Sequence, residues 1–375
     1  MPRIRVALLG ASGSIGTQAA DVIGQHPDRF ELVALASGRG GVAHDALASA
    51  HPTARSLIRG SAEQLQSLVL DAAPDIALIA TAGVIGLPAT VAALEAGIAV
   101  AIANKETIVA GGDVVMRAAQ AAAKRKGSET LERLRPVDSE HSALWQSLAG
   151  ESLERVRALW LTASGGPFRD SSANVIDAAT PAAALKHPTW SMGAKITIDS
   201  ATLVNKGLEA IEAHRLFSIP LDRVKIVVHP QSVVHGFVEF VDGSTKAQMG
   251  SPDMRGPIGY ALGYPTRMAA AIPNVDLVSH GSLTFVAPDL ARFPGLAVAL
   301  EAGRVGGAAP GALIAADGVA VERFLAGEFP LGGIPRLLHD AVSRFGGRTA
   351  PNSVDEVIAL HEEVTTFARD WSGTD

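Results

Sequence analysis

The stretch that most restricts the fold is Gly10-Ala11-Ser12-Gly13-Ser14-Ile15-Gly16, set between an apolar run at Ile4–Leu9 and an amphipathic one at Ile15–Ile23. A strand that turns tightly through glycines into a helix lets backbone approach a pyrophosphate, and the helix presents its positive end to that charge. The spacing is G-x-x-G-x-x-G rather than G-x-G-x-x-G, and it also suits a turn that holds no ligand. Its strand-to-helix setting is the one that phosphate binding requires.

Around this turn, apolar runs alternate with amphipathic stretches as far as Val137. Ile4–Leu9, Glu31–Ala36, Ile76–Ala80 and Ile98–Ala103 are expected as strands. Ile15–Ile23, Pro88–Ala96 and Val114–Lys124 are expected as helices. This alternation predicts an α/β fold: a Rossmann-like, doubly wound parallel sheet with right-handed crossovers. The span Ile76–Leu94 is apolar enough to suggest a membrane segment. Gly83, Gly86 and Pro88, with the polar Thr81 and Thr90, favour a strand, turn and helix instead.

An NAD-binding sheet usually ends its second strand in an acidic residue that holds the ribose 2′-hydroxyl. Here that strand runs into Ala36-Ser37-Gly38-Arg39-Gly40, without a carboxylate. Arg39 can meet a 2′-phosphate, with Ser37 and backbone amides in support, which favours NADP; an ordinary exposed arginine is the alternative.

A second region, α+β in character, follows. Val156–Ala163 is expected as a strand, Thr180-Pro181 as a helix start, and His235–Val241 with Ser244–Met249 as a hairpin across Asp242-Gly243. The expected domains are 1–138 for nucleotide, 139–267 for catalysis, a connecting arm over 268–294, and a helical domain over 295–375 that includes Val319–Leu325 and Ile334–Phe345.

Two acidic groups stand out. Asp138-Ser139-Glu140-His141 follows the strand ending at Val137, and in extended chain Asp138 and Glu140 project to one side. On a helix, Asn205, Lys206 and Glu209 form one polar patch. All-oxygen ligands suit Mg²⁺ or Mn²⁺, although both groups also fit a solvated, ion-paired surface. Ser200 and Thr202, expected where that helix begins, and the turn Ser164-Gly165-Gly166 can join Lys206 in holding a phosphate. His187–Gly193, with Trp190 beside proline and glycine, suits either a closing lid or a loop anchored by a buried Trp. His229 and His235 are assigned structural roles.

The 375 residues are 47% hydrophobic and 19% charged, so they suffice for two or three domains with a large core. The net charge of −6 gives no general reason to expect nucleic acid or an anionic membrane as partner. The absence of cysteine removes disulfides, thiolate zinc sites and cysteine nucleophiles. It suits a cytoplasmic location, as does a start, Arg3-Ile4-Arg5, that lacks the order of a signal peptide.

Taken together, these motifs resemble the 1-deoxy-D-xylulose 5-phosphate reductoisomerases of the non-mevalonate isoprenoid pathway. The matching stretches are Gly10–Gly16, Ala103–Glu106, Val137–His141, Thr162–Phe168, His187–Gly193, Asp199–Glu209, His229–His235 and Pro252–Arg255, in the family's order. The resemblance implies conversion of the substrate to 2-C-methyl-D-erythritol 4-phosphate by rearrangement and reduction. It places NADPH at Ser12, Gly13, Ser14, Ile15, Gly38, Arg39, Gly40, Asn104, Glu106 and Gly193. It gives Asp138, Glu140 and Glu209 as ligands of Mg²⁺ or Mn²⁺, and these three with Lys105 as the catalytic set. Substrate contacts are implied for Lys105, Ser139, Glu140, Ser164, His187, Ser200, Asn205, Lys206 and Glu209, and a homodimer joined by an antiparallel sheet is implied as well. The sequence departs from the family at Ala11-Ser12, where Ser-Thr is common, at Thr189, where Asn is frequent, and at Gly40, which often bears a side chain. Two other functions stay open from the residues alone: a homoserine-type NADP dehydrogenase and a non-catalytic NADP sensor. Neither requires three metal-binding carboxylates.

Overall fold

The computed structural model describes residues 2–190, 192–269 and 272–373. The chain forms two compact units, one of residues 1–145 with 253–273, the other of residues 146–252 with 274–375.

In the first unit six strands make one sheet: β1 (Ile4–Leu9), β2 (Phe30–Ser37), β3 (Arg55–Ile58), β4 (Ile76–Ile79), β5 (Ala99–Ile102) and β6 (Leu134–Pro136). Their order is β3-β2-β1-β4-β5-β6, and every pairing is parallel. Val6, Leu8, Leu35 and Leu78 are fully buried in the centre, as strands covered on both faces require. The four expected strands are present to within two residues at either end. β3 was not foreseen, because it lies at the sheet edge and is mostly exposed, so it carries no apolar alternation. The apolar span at Ile76–Leu94 is β4, a turn and most of the helix Leu87–Glu95. Among the described residues no helix is long and apolar enough to cross a membrane.

The helix expected at Val114–Lys124 begins earlier and runs from Lys105 to Lys126. It kinks at Gly112, whose φ of 41° only glycine adopts readily. The helix Arg255–Gly263, placed by sequence in the catalytic domain, buries Ile258, Ala261 and Leu262 in the same core as β1, β2 and β4. Each large apolar side chain buried there stabilises by about 2 kcal/mol, which is why this segment groups with the first unit.

The second unit is built on β7 (Val156–Ala163), β8 (Val224–Val228), β9 (Val234–Phe240) and β10 (Thr245–Met249), in the order β10-β9-β7-β8. β9 and β10 form the expected hairpin. Its turn is held by Asp242, which accepts from the backbone N–H and hydroxyl of Ser244 at 2.9 and 2.6 Å. Helices follow at Pro294–Val305, Ala309–Leu325, Gly333–Phe345 and Val354–Asp370, in the region expected to be helical. Thr180 caps the short helix Pro181–Ala184 as the Thr-Pro pair suggested, although its side chain makes no capping bond. The expected arm is not featureless: Leu277–His280 is a turn of helix, and Val286 bridges Val228.

One helix crossing positions the acidic helix Val204–Phe217. Gly295, Ala299 and Gly303 share a face of Pro294–Val305, and that face meets Val204, Gly207 and Ile211. A Cβ on Gly207 would overlap that of Ala299. Gly207→Val should therefore force these helices apart and lower unfolding free energy by about 2 kcal/mol in urea denaturation. An unchanged urea midpoint would show that the crossing is looser than described.

Candidate active site

Because the sheet is parallel, the segments after β1, β2, β4, β5 and β6 all leave from one edge. β1 and β4 are neighbours, so the chain departs in opposite directions along the sheet at that point and leaves a crevice. Gly10, with φ +95°, opens it: a Cβ there would overlap the carbonyl oxygen of Ala80. The crevice is a cavity of about 640 Å³ lined by Ser12 and Gly13 from the first turn and by Ser37, Gly38, Arg39 and Gly40 from the second. Ser12 Oγ donates to the carbonyl of Arg39 at 3.3 Å, tying the two turns together. Ser14 and Ile15 begin the helix Ser14–Gln25. Thr81 and His44 also line the cavity, and sequence reasoning assigned neither to the site. Thr81 Oγ1 is buried without a hydrogen-bond partner among the described residues.

Asn104 sits beyond β5 as the N-cap of the helix Lys105–Lys126. Its Oδ1 accepts from Thr107 N at 2.6 Å, and its Nδ2 donates to the carbonyls of Thr81 and Gly83 at 2.5 and 2.7 Å. The cap fixes the β4 turn to the start of the helix that bears Lys105 and Glu106.

After β6 comes a correction. Asp138-Ser139-Glu140 is not extended chain; Ser139–Leu148 is a helix, and Asp138 precedes its first turn. Asp138 Oδ1 accepts from Glu140 N at 3.1 Å, and its carbonyl accepts from Ser142 N at 2.8 Å, so the aspartate acts as a cap. The capping position of Asp138, not strand alternation, brings the carboxylates together, and they offer oxygens within 4.8 Å of one another. Lys105 Nζ donates to Asp138 Oδ2, and His141 Nδ1 lies 3.0 Å from Asp138 Oδ1. Ser139 Oγ donates to Glu140 Oε2 at 2.5 Å. Lys105, Asp138, Ser139 and His141 are all buried. A desolvated carboxylate is costly unless paired, and Lys105 and the helix N-terminus both answer Asp138. That donor set suits a hard divalent cation.

In the second unit the expected patch is present. Glu209 accepts from Asn205 Nδ2 and from Lys206 Nζ, both at 2.6 Å. Lys206 and Glu209 are almost completely buried. Asn205 Oδ1 is buried without a hydrogen-bond partner among the described residues, as an acceptor awaiting a ligand would be. Ser200 is not at the start of this helix. It belongs to the end of a separate helix, Ala194–Ala201, because Leu203 adopts a left-handed conformation and breaks the run. Gly193 is the N-cap of that helix. Lys195 on it reaches Asp199 at 2.7 Å and Asp317 of Ala309–Leu325 at 2.6 Å, which ties the Ser200 helix to the C-terminal helices.

Ser164 Oγ and His187 Nε2 are 3.0 Å apart. His187 Nδ1 accepts from the backbone N–H of Trp190 at 2.8 Å and of Thr189 at 3.2 Å. A nitrogen that accepts carries no proton, so the ring proton is on Nε2 and points toward Ser164. Trp190 is half-buried, with its ring 6.2 Å from that of His235; Ser191 of this stretch lies outside the described residues. His229 is structural, as expected: it lies between Thr284 and Val233, stacked on Phe285.

Fold and crevice together define a dinucleotide-binding enzyme of the Rossmann type. Family models for 1-deoxy-D-xylulose 5-phosphate reductoisomerase match residues 6–51 and 42–112, and those for its C-terminal domains match 134–217 and 249–367. The chain is 47% identical over 369 residues to the 1-deoxy-D-xylulose 5-phosphate reductoisomerase of Symbiobacterium thermophilum, covering 90% of this chain and 93% of that one. It is 48% identical over 380 residues to that of Anaeromyxobacter sp., covering 96% and 94%. Among solved structures, the reductoisomerase from Zymomonas mobilis in complex with NADPH superposes with a TM-score of 0.87 at 36% identity, covering 98% of each chain. A reductoisomerase in complex with NADPH, fosmidomycin and magnesium gives the same TM-score and identity, covering 98% and 97%. This chain belongs to the 1-deoxy-D-xylulose 5-phosphate reductoisomerase family.

Burial lowers the pKa of His187 below the ordinary 6.5. The unfolded chain thus takes up its proton first as pH falls, and this residue's contribution, fully present above 6.5, is lost below it. An NMR titration should place its midpoint below 6.5, whereas a midpoint above that value would contradict the Nδ1-acceptor geometry.

Proposed function

We propose that the chain carries out its family's reaction, the rearrangement and NADPH-dependent reduction of 1-deoxy-D-xylulose 5-phosphate to 2-C-methyl-D-erythritol 4-phosphate. The observation that carries this is the pair of carboxylates, Asp138, held by Lys105, and Glu140, at the sheet edge from which the glycine turn also leaves. A plain dehydrogenase or an NADP sensor does not require three metal-binding carboxylates.

In this assignment the first unit, to which residues 253–273 return, holds mainly the cofactor, residues 139–252 with Asp138 hold the substrate and metal, and 295–375 support the catalytic helices. Ser12, Gly13, Ser14 and Ile15 present backbone and hydroxyl donors to the pyrophosphate, while Gly38, Arg39 and Gly40 receive the 2′-phosphate. Asn104, Glu106 and Gly193 complete the cofactor contacts. Asp138, Glu140 and Glu209 are the ligands for Mg²⁺ or Mn²⁺. When bound, NADPH supplies the hydride and the divalent ion supplies Lewis acidity at the substrate oxygens.

The chain's own residues then orient and shield. Ser164, Ser200, Lys206 and Asn205 hold the substrate phosphate, joined by His187 through the Nε2–H that its backbone contacts enforce. Remote binding of this kind positions the reacting carbons. Lys105 and Ser139 donate to the substrate's carbonyl and hydroxyl oxygens, and Oδ1 of Asn205, without a partner among the described residues, accepts from a substrate hydroxyl. Trp190 closes over the site and keeps water out. The four-stranded sheet, with its hairpin, is the surface through which two copies pair, and a cytoplasmic location suits a chain without cysteine.

Glu209→Gln keeps the side chain's size while removing its charge. It should lower kcat by at least about a hundredfold and leave NADPH affinity within about twofold, measured by steady-state kinetics and cofactor fluorescence. Normal turnover in this variant would remove Glu209 from the metal site.

A further inference from the structure

His44 is a buried histidine that none of the steps above employs. It lies in the first turn of the helix Val42–Ala50 and lines the nucleotide cavity. Its Nδ1 is 2.8 Å from Ser37 Oγ, and its Nε2 is 2.8 Å from Ser56 Oγ on the edge strand β3. Ser37 ends β2, two residues before Arg39, and lines the same cavity. Three groups that can each donate or accept thus form a chain, Ser56–His44–Ser37, running from the sheet edge to the cavity wall.

A neutral imidazole has one N–H and one lone pair, so the chain has two settings. In one, Ser37 donates to Nδ1, and its oxygen presents only a lone pair to the cavity. In the other, Ser56 donates to Nε2, the Nδ1–H donates to Ser37 Oγ, and the Ser37 proton is free to point outward. A phosphate oxygen accepts hydrogen bonds and repels lone pairs, so it is compatible with the second setting alone. A ribose hydroxyl, which both donates and accepts, is compatible with either.

We infer that His44 is a positioning residue for cofactor choice, which makes the Ser37 hydroxyl a donor to the 2′-phosphate and thereby favours NADPH over NADH. The inference rests on the NADPH assignment above and adds a cause for its selectivity. Arg39 supplies charge; His44 and Ser37 supply direction.

The test is nucleotide binding to the whole chain, without substrate or metal, followed by NADPH and NADH fluorescence. His44→Phe and Ser37→Ala should each weaken NADPH by about tenfold or more, as loss of one hydrogen bond to a charged group does, and NADH by about threefold at most. Ser37→Ala keeps the test decisive should His44→Phe fail to fold. Long-range ¹H–¹⁵N spectra of the wild type, with His44 assigned by its loss in His44→Gln, should show Nδ1 protonated with NADPH and a mixture of tautomers with NADH. Equal weakening of both nucleotides, or the same tautomer population with each, would reduce His44 to a structural pin and overturn the inference. Failure of the wild type to bind either nucleotide would overturn the cofactor site itself, a different result from loss of selectivity alone.

Discussion

The constraint on which the rest depends is the parallel pairing of the first sheet. Parallel strands all end on the same side, so one edge collects the glycine turn after β1, Ser37–Gly40 after β2, Thr81 after β4, Asn104-Lys105 after β5 and Asp138–Glu140 after β6. No single side chain would bring cofactor turns and carboxylates to one rim, whereas a shared strand direction does so at no further cost in chain. The close approach of Gly10 to Ala80 then opens the rim at its centre, where any larger residue would close it.

Charge is handled consistently at the two acidic centres. Asp138 is paired with Lys105, and Glu209 with Lys206, each within its own unit and each buried. Buried ion pairs add little net stability, since desolvation offsets their attraction. Their value here is geometric: each lysine holds its carboxylate in one position before any ligand arrives. Asn205 Oδ1 and Thr81 Oγ1, buried without partners among the described residues, are the corresponding costs, which a bound substrate and cofactor would relieve.

Much of this was legible in the residues. Buried strands announce themselves as apolar runs, and Asp242-Gly243 as a hairpin, because those signals are local. The helix that begins at Lys105 was read late, since Gly111-Gly112 interrupts its pattern and the kink at Gly112 is a tertiary solution. The sequence predicts extended chain at Asp138-Ser139-Glu140 because it continues from a strand. Capping by the aspartate itself turns it into a helix, and both conformations place the acids near each other. Contacts between distant positions left no local trace, among them Lys195 with Asp317 and His44 with Ser56. The same holds for the helix Arg255–Gly263, whose apolar face did not say which core it would enter.

The most direct measurement of the central claim is NADPH consumption by the purified chain supplied with 1-deoxy-D-xylulose 5-phosphate, first with Mn²⁺ and then with the ion removed by a chelator. The account predicts oxidation of NADPH with the metal present and none after chelation, restored when Mn²⁺ or Mg²⁺ is returned. Consumption that persists without metal would contradict the role given to the carboxylates. Absence of consumption under all conditions, with NADPH still bound, would contradict the assigned reaction and leave the nucleotide crevice alone standing.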